Sequence, residues 1–233
     1  MRGLVLAQSV NKAGINPENG IGYKDATGVF VPGAKYFSNL WGLDKPVLLD
    51  DVDDRNKMLK AIEKSTMLDV IAYFGHGDRN RIGSANIGMG DLKRLSDAIR
   101  TAAAPGCQVI FYACQLGGRS GFCEKLAGML GGTVTFWGHS CSGHGNTNPY
   151  VTRYPFAPDV DAHLINPASP LFYAWTKLIK SNSDIWARFP FMTKDEVESK
   201  ARDYQNGMPV LSQLFGSAAE VAVGMKKPKK KAA

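Results

Sequence analysis

Short apolar runs alternate with segments of helical periodicity through the first 140 positions of this chain. Gly3-Leu-Val-Leu-Ala-Gln-Ser-Val10 reads as a buried strand, followed by Asn, Gly and Pro punctuation that predicts a loop reaching Pro32-Gly33. Tyr36, Phe37, Leu40 and Trp41 then fall at helical spacing over 34–41, and Pro46-Val-Leu-Leu-Asp50 reads as a second strand. A helix opens at Asp53-Asp54, with Met58, Leu59 and Ile62 on one face and Lys60 and Lys64 towards its end, where the helix dipole favours cations. The third strand is Asp69-Val-Ile-Ala-Tyr-Phe74, and residues 82–89 suggest a small hairpin. An amphipathic helix over 91–103 turns Leu92, Leu95 and Ile99 inward; Gln108-Val-Ile-Phe-Tyr-Ala113 is a fourth strand. A helix over 121–130 leads to a fifth strand, Thr133-Val-Thr-Phe-Trp137. Beyond Gly138 the pattern is irregular as far as Pro167, and helices are expected near 170–180, 194–204 and 210–221.

Strands alternating with helices imply an α/β fold: a mostly parallel sheet with helices on both faces, and extra helices at the C-terminal end. The 233 residues are 44% apolar, enough for a sizeable core in a single domain over 1–222. Nothing approaches the roughly 18 consecutive apolar residues of a membrane span. The opening residues turn polar too early for a secretory signal. Four irregularly spaced cysteines do not make a disulfide scaffold in a chain of this length. These features point to a soluble cytoplasmic protein with reduced thiols. The formal charge of +7 is mostly local, because Lys226, Lys227, Lys229, Lys230 and Lys231 supply five of those charges and leave +2 elsewhere. Residues 223–233 read as a disordered solvated tail, with polyanion or nucleic-acid binding through residues 226–231 as the sharper alternative.

The candidate chemistry lies at two strand ends, where loops of a parallel sheet gather. His76 follows the third strand and Cys114 the fourth, so two side chains suited to nucleophilic catalysis end adjacent strands. Gln115-Leu-Gly-Gly-Arg119 then leads into a helix whose N-terminal amides, with Arg119, suit a thiolate.

Tyr73-Phe-Gly-His-Gly77, followed by Tyr112-Ala-Cys-Gln-Leu-Gly117, resembles the His-Gly and Ala-Cys signatures of the caspase-like (caspase–hemoglobinase fold) cysteine peptidases. That clan includes caspases, metacaspases, legumain, gingipains, separase and CHAT-type peptidases, and the resemblance runs from residue 3 to about 138. It implies a cysteine endopeptidase acting through a thioester acyl-enzyme, with Cys114 attacking the scissile carbonyl and His76 protonating the leaving amine. It also implies an oxyanion hole made by the backbone N–H groups of Gly77 and Cys114. Caspases place Gln before Ala-Cys and Gly two after the Cys, whereas here Tyr112 and Leu116 hold those places, so the chain is not a close caspase relative. Some members carry an acid two before the Cys to select Arg or Lys; Tyr112 has no such charge, and the cleavage-site preference stays open.

Asp78 lines the pocket or simply makes a turn with Arg79 and Asn80. His139 and Ser140, in the loop after the fifth strand, are candidate pocket residues. His139, Cys141 and His144 match no common zinc spacing, and no metal is assigned. Asp50, Asp51, Asp53 and Asp54 read as a loop and helix start, with activation by Ca²⁺ as the alternative. Cys107 and Cys123 are read as core residues. The aromatic residues 172, 173, 175, 186, 189 and 191 are expected to pack the C-terminal helices. The expected partner is a protein or peptide substrate, with self-cleavage in the loops 11–33 or 140–167 as an activation route. A catalytically silent module holding a peptide in the same cleft is the competing reading.

Overall fold

A computed structural model describes residues 1–9, 27–49, 53–83, 85–143, 148, 150–155, 172–180 and 184–215. The chain groups into two compact units, Met1–Gly145 with Val151–Ala157, and Asn146–Tyr150 with Pro158–Ala233. In the first unit a six-stranded sheet is built from β1 (Gly3–Gln8), β2 (Val47–Leu49), β3 (Leu68–Phe74), β7 (Ala103–Tyr112), β8 (Thr135–His139) and β9 (Val151–Tyr154), in the spatial order β2-β1-β3-β7-β8-β9. All neighbours are parallel except β8 and β9. A smaller antiparallel sheet, β4 (Gly77–Asp78), β5 (Arg81–Ile82) and β6 (Ile87–Gly88), follows β3. The expected hairpin over 82–89 is thus its second half, and Gly77 and Asp78 supply a third strand.

Helices cover both faces, as the alternation requires. Helices α2 (Asp54–Glu63), α3 (Leu92–Ala102) and α4 (Phe122–Leu130) share one core with Leu6, Ile71, Tyr73, Val109, Phe111 and Phe136. Phe111 is at its centre, with its ring 6.1 Å from Phe122, 6.4 Å from Phe136 and 6.5 Å from Tyr73. Helix α1 (Thr27–Trp41) packs on β1 and β3 from the other side. It starts earlier than the sequence suggests and runs through Pro32. Phe30, Ala34 and Phe37 recur at i, i+4 and i+7 and are all buried, so the packed face outweighs the hydrogen bond that a helical proline removes.

Two further differences have local causes. Strand β7 begins at Ala103 rather than 108: its ladder to β3 pairs Leu68 with Ala103 and then Val70 with Gln108, and Gly106 takes up the irregularity at φ +79°. Strand β9 lies in the stretch read as irregular, because four residues are too few for a recognisable alternation.

The second unit contains α5 (Phe172–Lys180), α6 (Ile185–Arg188) and α7 (Lys194–Phe215), with a 3₁₀ turn over Phe189–Phe191. Trp175 and Phe189 pack with ring centroids 5.2 Å apart, and Trp186, Val197 and Ala201 are buried. One helix through Phe215 replaces the two expected over 194–204 and 210–221. Residues 216–233, with the lysine tail, lie outside the described residues, as do most of the expected processing loops. No described helix is long and apolar enough to cross a membrane.

Candidate active site

The pairing of β3 with β7 fixes the level of the two candidate catalytic residues. From Val70–Gln108 to Phe74–Tyr112 the offset is constant, so His76 and Cys114 each lie two residues beyond the last paired rung. Neighbouring strands lie about 4.8 Å apart. The closeness continues past the strands, since the Gly75 N–H donates to the Tyr112 carbonyl at 3.4 Å. A Cβ placed on Gly77 would lie 3.0 Å from both Ala113 Cβ and Leu116 Cδ1, so Gly77 is packed directly against the Cys114 loop. Strand β8 keeps its own offset with β7 up to Phe111–Gly138, which brings the segment after His139 to the same end of the sheet.

The backbone of His76 is held from three directions. Its N–H donates to Oε1 of Gln8, the last residue of β1, at 2.9 Å, and Gln8 is only 2% exposed. Its carbonyl accepts the Tyr73 hydroxyl at 3.1 Å and the Gly83 N–H at 2.9 Å. The imidazole meets Phe30 of α1 edge-on, with centroids 5.0 Å apart and planes at 88°. Gln8 and Phe30 were not singled out from the sequence, and Tyr73 entered only as the first residue of the His-Gly motif. A polar residue closing an apolar strand is the one signal that points to Gln8.

Cys114 begins a turn in which Gln115 adopts φ +59°. The turn is joined to the loop after β8: Gln115 N–H donates to the Cys141 carbonyl at 3.3 Å, Gly117 N–H to the His139 carbonyl at 2.9 Å, and Gln115 Nε2 to Ser142 Oγ at 2.7 Å. The Gly143 backbone covers the thiol, its N–H donating to Sγ at 3.3 Å and its carbonyl accepting from Sγ at 3.2 Å. The Cys114 turn also approaches β8 closely, since a Cβ on Gly117 would lie 2.1 Å from the Gly138 oxygen. The turn after β4 is tied to the same loop, as Phe122 N–H donates to the Arg79 carbonyl at 2.9 Å and the Arg79 guanidinium donates to the Arg119 carbonyl. Arg119 thus contributes its main chain here.

The remaining candidates divide by burial. Asp78 accepts the Asn80 N–H and the Arg81 guanidinium, both at 2.8 Å, so its carboxylate closes the β4–β5 turn. Tyr112 stacks on Phe74 with centroids 4.4 Å apart, and burial pushes its phenol well above the ordinary range. His139 is 2% exposed with its ring 6.0 Å from Tyr112, which puts it inside this aromatic layer rather than on an open wall. Ser140 is half-buried and Cys141 exposed on the loop that reaches Cys114. Cys107 and Cys123 are fully buried, and burial pushes both thiols up, Cys107 to about 12. Asp53 carbonyl accepts the Lys57 N–H as α2 begins, and Asp54, the first residue of that helix, is buried. Among the described residues no three His, Cys, Asp or Glu side chains are grouped to hold a metal ion.

No family profile matches this chain, and no curated protein resembles it in sequence. Among solved structures it is similar to the Arg-specific cysteine proteinase gingipain R, at 13% identity and a TM-score of 0.42 over 84% of this chain and 44% of that one. It is also similar to the complex of the pro- and mature domains of that proteinase from Porphyromonas gingivalis, at 13% identity and a TM-score of 0.43 over 96% of this chain and 45% of the other. The chain spans less than half the length of either match.

Proposed function

We propose that the protein is a caspase-like cysteine peptidase in which Cys114 is the nucleophile, His76 the acid and base, and the N–H groups of Gly77 and Cys114 the oxyanion hole. The observation that carries the reading is the shared register of β3 and β7, which ends both strands at one level with His76 and Cys114 two residues on. The motif Tyr73-Phe-Gly-His-Gly77 and the Ala113-Cys114 pair agree with it. In the reaction, the Cys114 thiol gives its proton to His76 as its sulfur bonds to the scissile carbonyl carbon, while the C=O electron pair moves onto oxygen and is held by the two N–H groups. The pair returns as the C–N bond breaks, and His76 gives the leaving nitrogen its proton, leaving a thioester. Water, deprotonated by His76, then displaces the sulfur, releasing the acid and restoring the thiol. The Gly143 peptide contacts Cys114 Sγ through its N–H and its carbonyl, so it flanks the path of a substrate carbonyl to the half-buried sulfur.

The test is hydrolysis of a fluorogenic peptide library by the wild type, Cys114→Ala and Cys123→Ala, with and without Ca²⁺. Loss of all turnover in Cys114→Ala alone is the expected result, and the cleaved sequences identify the preferred residue. Turnover that survives in Cys114→Ala, or a wild type that neither turns over nor is labelled at Cys114 by a thiol-reactive peptide, removes the reading.

A further inference from the structure

Resting on the peptidase reading, a second-row assignment follows from the backbone around His76. We infer that Tyr73 is a positioning residue that aims the Gly77 N–H at the developing oxyanion by holding the carbonyl of the same peptide group.

The His76 carbonyl and the Gly77 N–H belong to one trans peptide plane and point in opposite directions, so fixing one fixes the other. Two donors hold the carbonyl: the Tyr73 hydroxyl at 3.1 Å and the Gly83 N–H at 2.9 Å. The pairing of β4 with β5 gives the same direction independently. Gly77 is opposite Ile82, and the bond from Gly83 N–H to His76 O flanks that pair, which makes it a non-hydrogen-bonded one. In such a pair the residue's own N–H turns away from the partner strand. Gly77 N–H therefore leaves the outer edge of β4, the edge strand of the small sheet, while Gly77 itself packs on Ala113 and Leu116 of the Cys114 loop.

The surroundings are shaped for this hydroxyl. Tyr73 is fully buried, with its ring in the core beside Phe111, and its oxygen reaches past Gly75 to the next residue's carbonyl. A Cβ on Gly75 would lie 2.2 Å from that oxygen and 2.5 Å from Cζ, so no larger residue leaves room for the phenol. Tyr73 and Gly75 thus act as a matched pair. Gln8 holds the His76 N–H, which belongs to the preceding peptide, so with the Tyr73 hydroxyl removed the His76–Gly77 peptide keeps one of its two carbonyl donors, Gly83.

Tyr73→Phe keeps the ring and removes only the donor, and the assay separates its roles. In the active enzyme kcat is expected to fall about tenfold or more with KM nearly unchanged, less than the roughly 10²–10³-fold loss of a direct oxyanion donor. A peptide aldehyde, whose adduct with Cys114 carries the oxyanion, is expected to bind correspondingly more weakly. Alkylation of Cys114 by iodoacetamide, which develops no oxyanion, is expected at the wild-type rate. An unchanged kcat overturns the assignment while leaving the peptidase reading in place. Parallel losses in kcat, alkylation rate and thermal stability overturn it too, by making Tyr73 a core residue only. A wild type without turnover and without Cys114 labelling removes the assignment together with the peptidase reading.

Discussion

Two of the four thiols are open to a reagent and two are not. Cys107 and Cys123 have no exposed surface, and burial disfavours their thiolates, whereas Cys114 is half-buried and Cys141 exposed. Iodoacetamide at pH 8 is expected to add to Cys114 and Cys141 in the folded protein, and to all four thiols in denaturant, read by intact mass. Labelling of Cys123 at the rate of Cys141 would contradict the packing described. Glycine at 117 is a matching case for the backbone. A methyl there meets the Gly138 oxygen at 2.1 Å with no flexible neighbour to give way, so Gly117→Ala is expected to destabilise by about 3 kcal/mol in a denaturant titration. The same change at Gly90, which has open space, is the control.

At the scale of elements, legibility followed the range of the contacts. Strands β1 and β3 and the 108–112 stretch of β7 were readable because each is buried and therefore nearly continuously apolar, and the strand ends then put His76 and Cys114 at the same level. Contacts that cross the sequence were not readable: Gln8 meets His76 across 68 positions, and Gln115 meets Ser142 across 27. Pro32 misled for the opposite reason, since a strong local breaker signal was overridden by tertiary burial of Phe30, Ala34 and Phe37. His139 was legible as a residue near the site but not as a buried one, because the aromatic layer of Phe37, Phe74 and Tyr112 is assembled from three separate elements.

The start of α7 allows a test confined to one element. Thr193 N–H donates to Glu196 Oε2 at 2.7 Å, and Glu196 N–H donates to Thr193 Oγ1 at 3.3 Å, a reciprocal cap. Thr193→Ala is expected to cost about 1 kcal/mol. The backbone N–H and hydroxyl of Thr193 hold the Glu196 carboxyl below its ordinary range. A lowered carboxylate pKa adds stability that is fully present above the ordinary glutamate value and is lost as pH falls through the folded one. The stability difference between wild type and Glu196→Gln should therefore be largest near neutrality and shrink below about pH 4, measured by denaturant midpoints. A difference that grows on acidification would mean the pair is not formed.

For the first unit as a whole, the position of the site on the sheet determines how firmly it is held. Strands β1, β3, β7 and β8 each have a paired neighbour on both sides, whereas β2 and β9 are the edges and Leu48 of β2 is 36% exposed. Opening an interior strand breaks two ladders and uncovers buried residues such as Leu6, Ala72 and Val109, so its amides exchange only when most of the sheet opens. Native-state hydrogen exchange is expected to be slowest in 4–7, 70–74, 109–112 and 136–138, and faster by orders of magnitude in β2 and β9. His76 and Cys114 extend from two of the four interior strands, which suits a site whose geometry must be set before substrate arrives. The loop at 140–143, which brings the Gly143 peptide to the thiol, follows the interior strand β8. Edge-like exchange in β3 or β7 would remove that argument, because the shared rung at Phe74 and Tyr112 is what aligns the two residues.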